Sequence, residues 1–402
     1  MPVWLDPLLY AASAVAALLV AAFASIPQYQ EWGRIAVGVY AIGAVLALAC
    51  RSARSRTWLA IGVLLGAALA PMAVEAVLRS RTGMGLHAQS EVIITEEAAK
   101  AALDGRDPYA TTYLHGPLVA RPIGTKTHFP YLPGMVAFGL PRAADGRSPL
   151  TDARVGFAAA TVATLLVAAG RLRVWSPERA LRAGQVLVVL PTGALLMATG
   201  GDDLPVLALM LLGLVLLEED RPVAAGAVTG LAAALKQTAW PLLPFAVLAA
   251  GSGRRRLAAT ALAVMVVVVT PFLAWRPGAF VENVLRFPFG LGHEHSAAGS
   301  RTLGSLLADQ FPGRRTILAA ILVCAVAGLA VWLLVRTPHR SAADAARSAG
   351  LLLAAAFVLS PSARVGYLVY PANLLVWWRA LPRPDPASAA PPRSSQPLPV
   401  AP

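Results

Sequence analysis

"TWLAIGVLLGAALAPMAVEAVL", residues 57–78, decides the fold. At ~1.5 Å of rise per residue, an apolar run of this length crosses the ~30 Å hydrocarbon layer of a bilayer. Close behind it comes "SEVIITEEAAKAALDGRDPY", residues 90–109, with Glu91, Glu96, Glu97, Asp104 and Asp107. A chain committed to lipid thus places a block of acids just outside it.

The rest of the 402 residues follows the first pattern: 57% are hydrophobic, 14% are charged, and the mean hydropathy is +0.63. Soluble domains carry nearer ~25% charged residues. The sequence therefore reads as an all-α, polytopic membrane bundle. The net charge of +13 is almost all arginine, since Lys100, Lys126 and Lys236 are the only lysines. These arginines sit in short loops between apolar runs, which is the positive-inside pattern and not a nucleic-acid patch. Cys50 and Cys324 lie inside apolar runs and read as small core residues, without metal spacing or a disulfide framework.

About 11–12 spans are expected, near 7–26, 35–50, 57–78, 155–170, 183–199, 204–217, 223–235, 239–250, 257–274, 317–335, 349–360 and 365–379. Several are short enough to be tilted, broken or re-entrant. The first is read as a membrane helix and not a cleaved signal peptide. Clusters at Arg51, Arg54 and Arg56, at Arg171, Arg173, Arg179 and Arg182, at Arg254–Arg256, at Arg336, Arg340 and Arg347, and at Arg379 and Arg383 define the inner side. Both termini are then cytoplasmic, and loops near 79–154 and 275–316 lie outside. Residues 129–141 are read as a re-entrant or interfacial element. Residues 1–381 form one membrane domain, and the Pro/Ser/Ala-rich tail 382–402 is expected to be disordered.

In the first outer loop, "TEEAAKAALDG" predicts a short helix with Thr95 as N-cap, Glu96 and Glu97 at its positive end, and Gly105 as its stop. Ala98, Ala101, Ala102 and Leu103 would rest on the membrane surface.

Four features carry chemistry. Glu91 stands just outside a span, where partial burial tunes a carboxylate toward general-base work; the alternative is that all five acids merely solvate a loop helix. Lys236 is the only lysine in an apolar stretch, at an outer helix end where positive-inside bias does not explain it, and it suits an anionic group such as phosphate. Asp202 and Asp203 in "GGDDLP" either hold a sugar hydroxyl or a cation, or form a solvated turn before Pro205. "LGHEHSAAGSRT" offers His293 and His295, too few for a metal site by spacing, and Arg301, a possible bidentate phosphate donor. Arg364 and Tyr367 stand at an outer face late in the chain. No glycine-rich nucleotide loop is present.

"EVIITEEAAKAALDGRDPY" (91–109), "THFPYLPG" (127–134), "GGDDLPVLALMLLGLVLLEEDRPVAAGAVTGLAAALKQTAWPLLPF" (200–245) and "LSPSARVGYLVYPANLL" (359–375) together resemble glycosyltransferase family 87. The resemblance runs from about 57 to 380 and rests on the order and spacing of short motifs. It implies a polyprenyl-phosphate-mannose-dependent mannosyltransferase of the GT-C membrane fold, in a family common in actinobacteria. The family's first-loop acid, usually Asp, falls on Glu91. Its G-x-D/N-P-Y element is matched by Gly105, Asp107, Pro108 and Tyr109, and its Tyr-Pro-Pro element in part by Tyr131 and Pro133. Gly201-Asp202 stands where Gly-Gln is common. "KQTAWPLLP" also resembles the Lys-Gln-x-Ala element of lipid-phosphate-glucose-dependent glucosyltransferases, which leaves the donor sugar open.

The resemblance implies a reaction. Glu91 takes a proton from a glycan or glycolipid acceptor as that oxygen attacks the anomeric carbon, and Lys236, Arg301 or Arg364 stabilises the departing lipid phosphate. Asp107, Tyr109, Tyr131 and Asp202 complete the expected substrate site. Neither metal nor cofactor is expected, since a monophosphate leaving group needs no nucleotide clamp. The rival readings are a transporter or flippase of lipid-linked sugars, for which no inverted repeat is evident, and a relative that binds lipid-linked sugar without transferring it.

Overall fold

A computed structural model describes residues 4–83, 85–292, 294, 300–360 and 363–382. The expected tail, 383 onward, and His293 and His295 lie outside the described residues. Helices and helical turns are the regular structure among the described residues, as the apolar periodicity requires.

The chain opens with α1 (Leu5–Phe23), α2 (Pro27–Ala47) and α3 (Ala53–Leu64). Ser52 caps α3 by accepting from the Ser55 amide at 3.1 Å. A single π-turn, Leu65–Leu69, joins α3 to α4 (Ala70–Thr82), giving a continuous 30-residue span over Ala53–Thr82. The segment after α4, expected to be the first outer loop, holds α5 (Ser90–Leu103), α6 (Ile123–Thr127), a 3-10 stretch Pro133–Gly139 and α7 (Leu140–Asp145). Then come α8 (Ala153–Trp175), α9 (Pro177–Gly184), α10 (Pro191–Thr199), α11 (Asp203–Glu218), α12 (Pro222–Leu235), α13 (Leu242–Ala249) and α14 (Arg254–Trp275). Short α15 (Pro277–Val281) and α16 (Leu303–Gln310) precede α17 (Arg315–Arg336), α18 (Ala342–Leu359) and α19 (Val369–Ala380).

Among the described residues, six helices are long and apolar enough to cross a membrane, or seven if the bent pair Pro177–Val189 and Pro191–Thr199 counts as one span. This is fewer than the expected 11–12, and for most of the missing spans the reason is length; α2 has 21 residues but carries Glu31 and Arg34 and is less apolar. Pro191 holds Leu190 extended at φ −72°, ψ 160°, and the two halves meet at 48°. The helices α12, α13 and α19 have only 14, 8 and 12 residues, about 21, 12 and 18 Å of rise. The apolar runs are there, but several stop part-way where side chains are needed. Residues 129–141 do not make a crossing helix either: seven of them form the 3-10 stretch.

Small residues bring the helices close. On α12, Gly226 and Gly230 face α14, where a Cβ at Gly226 would lie 2.4 Å from the Leu257 carbonyl oxygen and one at Gly230 2.6 Å from that of Ala261. In lipid, where burial of apolar surface drives little, this close van der Waals packing holds the pair.

Two expectations for the outer loop are corrected. The helix begins at Ser90, so Thr95 is no cap; it lies fully buried in mid-helix, and Glu91 occupies the first turn. Ala98 and Ala101 are buried in protein and not laid on the bilayer, because α5 packs on the 3-10 stretch and on α7. That contact needs Gly139, whose added Cβ would stand 2.3 Å from the Thr95 carbonyl oxygen. Gly105 does end the segment, at φ +72°.

Candidate active site

The start of α5 is fixed by what precedes it. The Gln89 backbone amide donates to the Thr199 carbonyl at 3.2 Å, and its side chain donates to the Thr199 and Tyr29 hydroxyls at 2.5 and 2.9 Å. Arg121 donates to the Gly85 and Ala88 carbonyls, both at 3.0 Å, which pins the same approach. Further along α5, Glu96 enters a buried network with Arg79, Arg142 and Asp152: Arg79 meets Glu96 at 2.6 Å and Asp152 at 2.8 Å, and Arg154 meets Asp152 at 2.9 Å. The acids thus divide. Glu96 locks the loop onto α4 and α8, while Asp104 stays half-exposed beside Arg106.

Glu91 points elsewhere. Its Oε1 accepts from Arg364, which stands in the extended backbone just before the 3-10 turn Val365–Leu368 that leads into α19. Burial is the strongest single influence and raises the Glu91 carboxyl, but the Arg364 charge and hydrogen bond, a backbone hydrogen bond and the Lys236 charge together outweigh it and hold the group below the usual carboxylate range.

Lys236 ends α12. Its own backbone is extended, φ −154° and ψ 139°, so the helix stops there and a 3-10 turn, Gln237–Ala239, carries the chain to α13. Into this break comes the Tyr131 loop: the Leu132 amide donates to the Leu235 carbonyl at 3.2 Å, and the Gln237 side chain donates to the Pro130 and Val284 carbonyls at 2.8 and 3.0 Å. The Lys236 ammonium lies 2.6 Å from Asp202 and 2.5 Å from Asp203, and 5.1 and 5.6 Å from the ring centres of Tyr131 and Tyr367. Tyr370 donates to Asp203 at 2.7 Å. Burial, helped by Asp203 and Glu91 and opposed by Lys236, pushes the Asp202 carboxyl up to about 7. The aspartates therefore serve the lysine and are not a solvated turn.

These groups meet at a cavity of about 410 Å³. Glu91, Tyr131, Lys236, Gln237, Arg364 and Tyr367 line it together with His128, whose ring stacks on Phe287 at 4.0 Å and 7°. Burial lowers the His128 pKa, against the pull of Glu282. Beyond them the wall is apolar and mostly aliphatic: Leu322, Val326 and Ala330 from α17, and Leu353, Ala356 and the aromatic Phe357 from α18. One cavity is thus charged at one end and greasy at the other.

Of the expected site residues, the fold gathers Glu91, Tyr131, Lys236 and Arg364 on this cavity, with Asp202 behind Lys236. Asp107 and Tyr109 stand off it. Asp107 accepts from the Tyr109 amide at 2.9 Å, and the Tyr109 hydroxyl donates to the Tyr131 carbonyl at 2.8 Å inside a cluster with Phe129 and Phe280. They build the wall that carries Tyr131. Arg301 is exposed and does not line the cavity. His128 and Gln237 had been passed over, although both lie inside the quoted motifs "THFPYLPG" and "KQTAWPLLP".

The fold and cavity define a multi-pass membrane protein with a polar site opening on an apolar groove. Residues 129–361 match the model of glycosyltransferase family 87. That is more than half of the chain, and the protein belongs to this family. The matched span contains Tyr131, Asp202, Lys236 and Arg301 but begins after Glu91 and ends before Arg364. Among solved structures the chain is similar to ArnT from Cupriavidus metallidurans in the apo state, at 20% identity and a TM-score of 0.45, over 74% of this chain and 56% of that one. The chain therefore spans little more than half the length of that protein. No curated protein sequence matches.

Proposed function

We propose that the protein moves a hexose, mannose in the first instance, from a polyprenyl-phosphate donor to a glycan or glycolipid acceptor on the outer membrane face, with Glu91 as general base. The cavity carries this reading: a sugar phosphate fits its charged end and a polyprenyl chain its aliphatic wall. The acceptor hydroxyl gives its proton to Glu91, and its oxygen attacks the anomeric carbon. The bond from that carbon to the phosphate oxygen breaks, and the lipid phosphate leaves with the electron pair. The anomeric carbon inverts.

Arg364 supplies the cation nearest the base. A donor phosphate competes with Glu91 for its guanidinium, as charge-assisted pairs with phosphate do. Donor binding thereby frees the Glu91 lone pair and weakens the charge that keeps its carboxyl acidic, so the base becomes more basic once a donor is seated. Lys236, already shared by two aspartates, adds field and positions Tyr131. Positive-inside reasoning supports cytoplasmic termini, with 1–381 as one GT-C-type unit.

The test is transfer of labelled sugar in liposomes holding purified protein, with polyprenyl-phosphate mannose and polyprenyl-phosphate glucose supplied separately and membrane extract as acceptor. Transfer from one donor, absent with Glu91→Gln, is the expected result. Transfer by Glu91→Gln at the wild-type rate would remove Glu91 as base, and movement of intact donor between leaflets without transfer would favour the flippase.

A further inference from the structure

Glu31, Glu75 and His87 present three metal-ligating atoms that all lie within 4.8 Å of one another. They come from separate elements: α2, α4 and the loop before α5. His87 Nδ1 is 3.0 Å from Glu75 Oε2. The second oxygen of that carboxylate, Oε1, is buried beside the pair and has no partner, on a side chain only 3% exposed. A buried acceptor left empty is costly, and a second carboxylate beside it adds repulsion. The nearby Arg154 offsets part of the charge but makes no hydrogen bond to that oxygen, its guanidinium donating to Asp152 and to the His87 carbonyl at 2.7 Å.

We propose that Glu31, Glu75 and His87 bind one divalent transition-metal ion of the zinc type. One imidazole and two carboxylates, with room left for water at half-buried Glu31 and His87, make a donor set that suits zinc or its borderline neighbours. Magnesium and calcium favour six or more oxygen ligands. The ion would answer the orphaned oxygen and cancel the two carboxylate charges. Its place is structural: it ties α2 and α4 to a loop residue four positions before Glu91, and so sets where α5 starts. The site touches no atom of the transfer reaction and does not rest on the donor assignment.

The full chain, purified in detergent with any affinity tag removed, is stripped with EDTA, dialysed and titrated with zinc chloride alone. Metal retained after desalting and the thermal midpoint are read together, with magnesium chloride in a parallel arm. One zinc per chain and a raised midpoint, with no response to magnesium, is the expected outcome. His87→Ala and Glu75→Gln should lower the affinity by at least the ~10–100-fold that loss of a mere supporting contact causes, with helical content unchanged by circular dichroism. A wild type that retains no zinc overturns the proposal, and so does a folded His87→Ala that binds as wild type does. If both variants unfold, the wild-type stoichiometry alone decides.

Discussion

Glu91 and Arg364 are 273 positions apart in sequence and share one hydrogen bond at the charged end of the cavity. The first turn of an outer helix and the approach to the last helix thus close on each other. Each neutralises the other until something anionic arrives.

Glu91→Gln keeps the shape and removes the carboxylate proposed as base. We expect kcat to fall by about 10²–10⁴-fold, the usual worth of a general base, with donor KM lowered because Arg364 loses its competing carboxylate, and a folded protein. Single-turnover transfer in liposomes reads this directly.

Arg364→Lys keeps the charge and loses the planar fork; Arg364→Ala loses both. Donor KM should rise in both, more in Ala. Binding of a lipid monophosphate without sugar should weaken in parallel. A KM unmoved in the Ala variant would take Arg364 out of phosphate recognition.

The pair also sets an acid limit. The folded Glu91 carboxyl lies below its ordinary value of ~4.3. Its stabilising contribution is fully present above that value and is lost as pH falls through the lower folded value. The thermal midpoint of wild type should therefore drop on acidification below about pH 4, and Glu91→Gln should lose that part of the slope.

Arg79 is fully buried between Glu96 and Asp152. Arg79→Ala takes the shortest ion-pair partner from both buried carboxylates and leaves Arg142, Arg154 and the Ala153 amide to hold them, so the cost should lie at or below the about 3–5 kcal/mol of a fully broken buried pair. The expected result is a lower midpoint and a loosened α5, seen as faster amide exchange over 90–103.

Gly230→Val drives branched carbon into the α14 backbone at Ala261. Overpacking of this kind costs about 1–3 kcal/mol. Gly62→Val, where an added Cβ meets nothing within 4 Å, is the control and should be close to neutral.

The apolar runs alone announced a helical membrane protein, because lipid leaves few alternatives to helices. Glu91, Lys236 and Arg364 were legible as charges out of place beside lipid. Their convergence was not, since nothing local says that Arg364 faces Glu91. Helix starts and stops were least legible where tertiary contacts set them. The start at Ser90 depends on Gln89 docking on Thr199, and Thr95, the better local cap, lost to it. The stop at Lys236 depends on Asp202, Asp203 and the inserted Tyr131 loop. Glu96 looked like a helix-dipole residue, but its partners come from residues 79, 142 and 153, beyond any window of sequence.

The aliphatic wall has a further meaning. Only 11% of the span Ile317–Arg336 is covered by protein, so α17 is a peripheral helix, wetted by lipid along most of its length. The proposed tailed donor would come to the site by diffusing within the bilayer plane past α17. Its effective concentration is then a mole fraction among lipids, and dilution with bulk water leaves it unchanged. Saturation curves for this protein should collapse onto one line when plotted against mole percent of tailed substrate, and scatter when plotted against molarity.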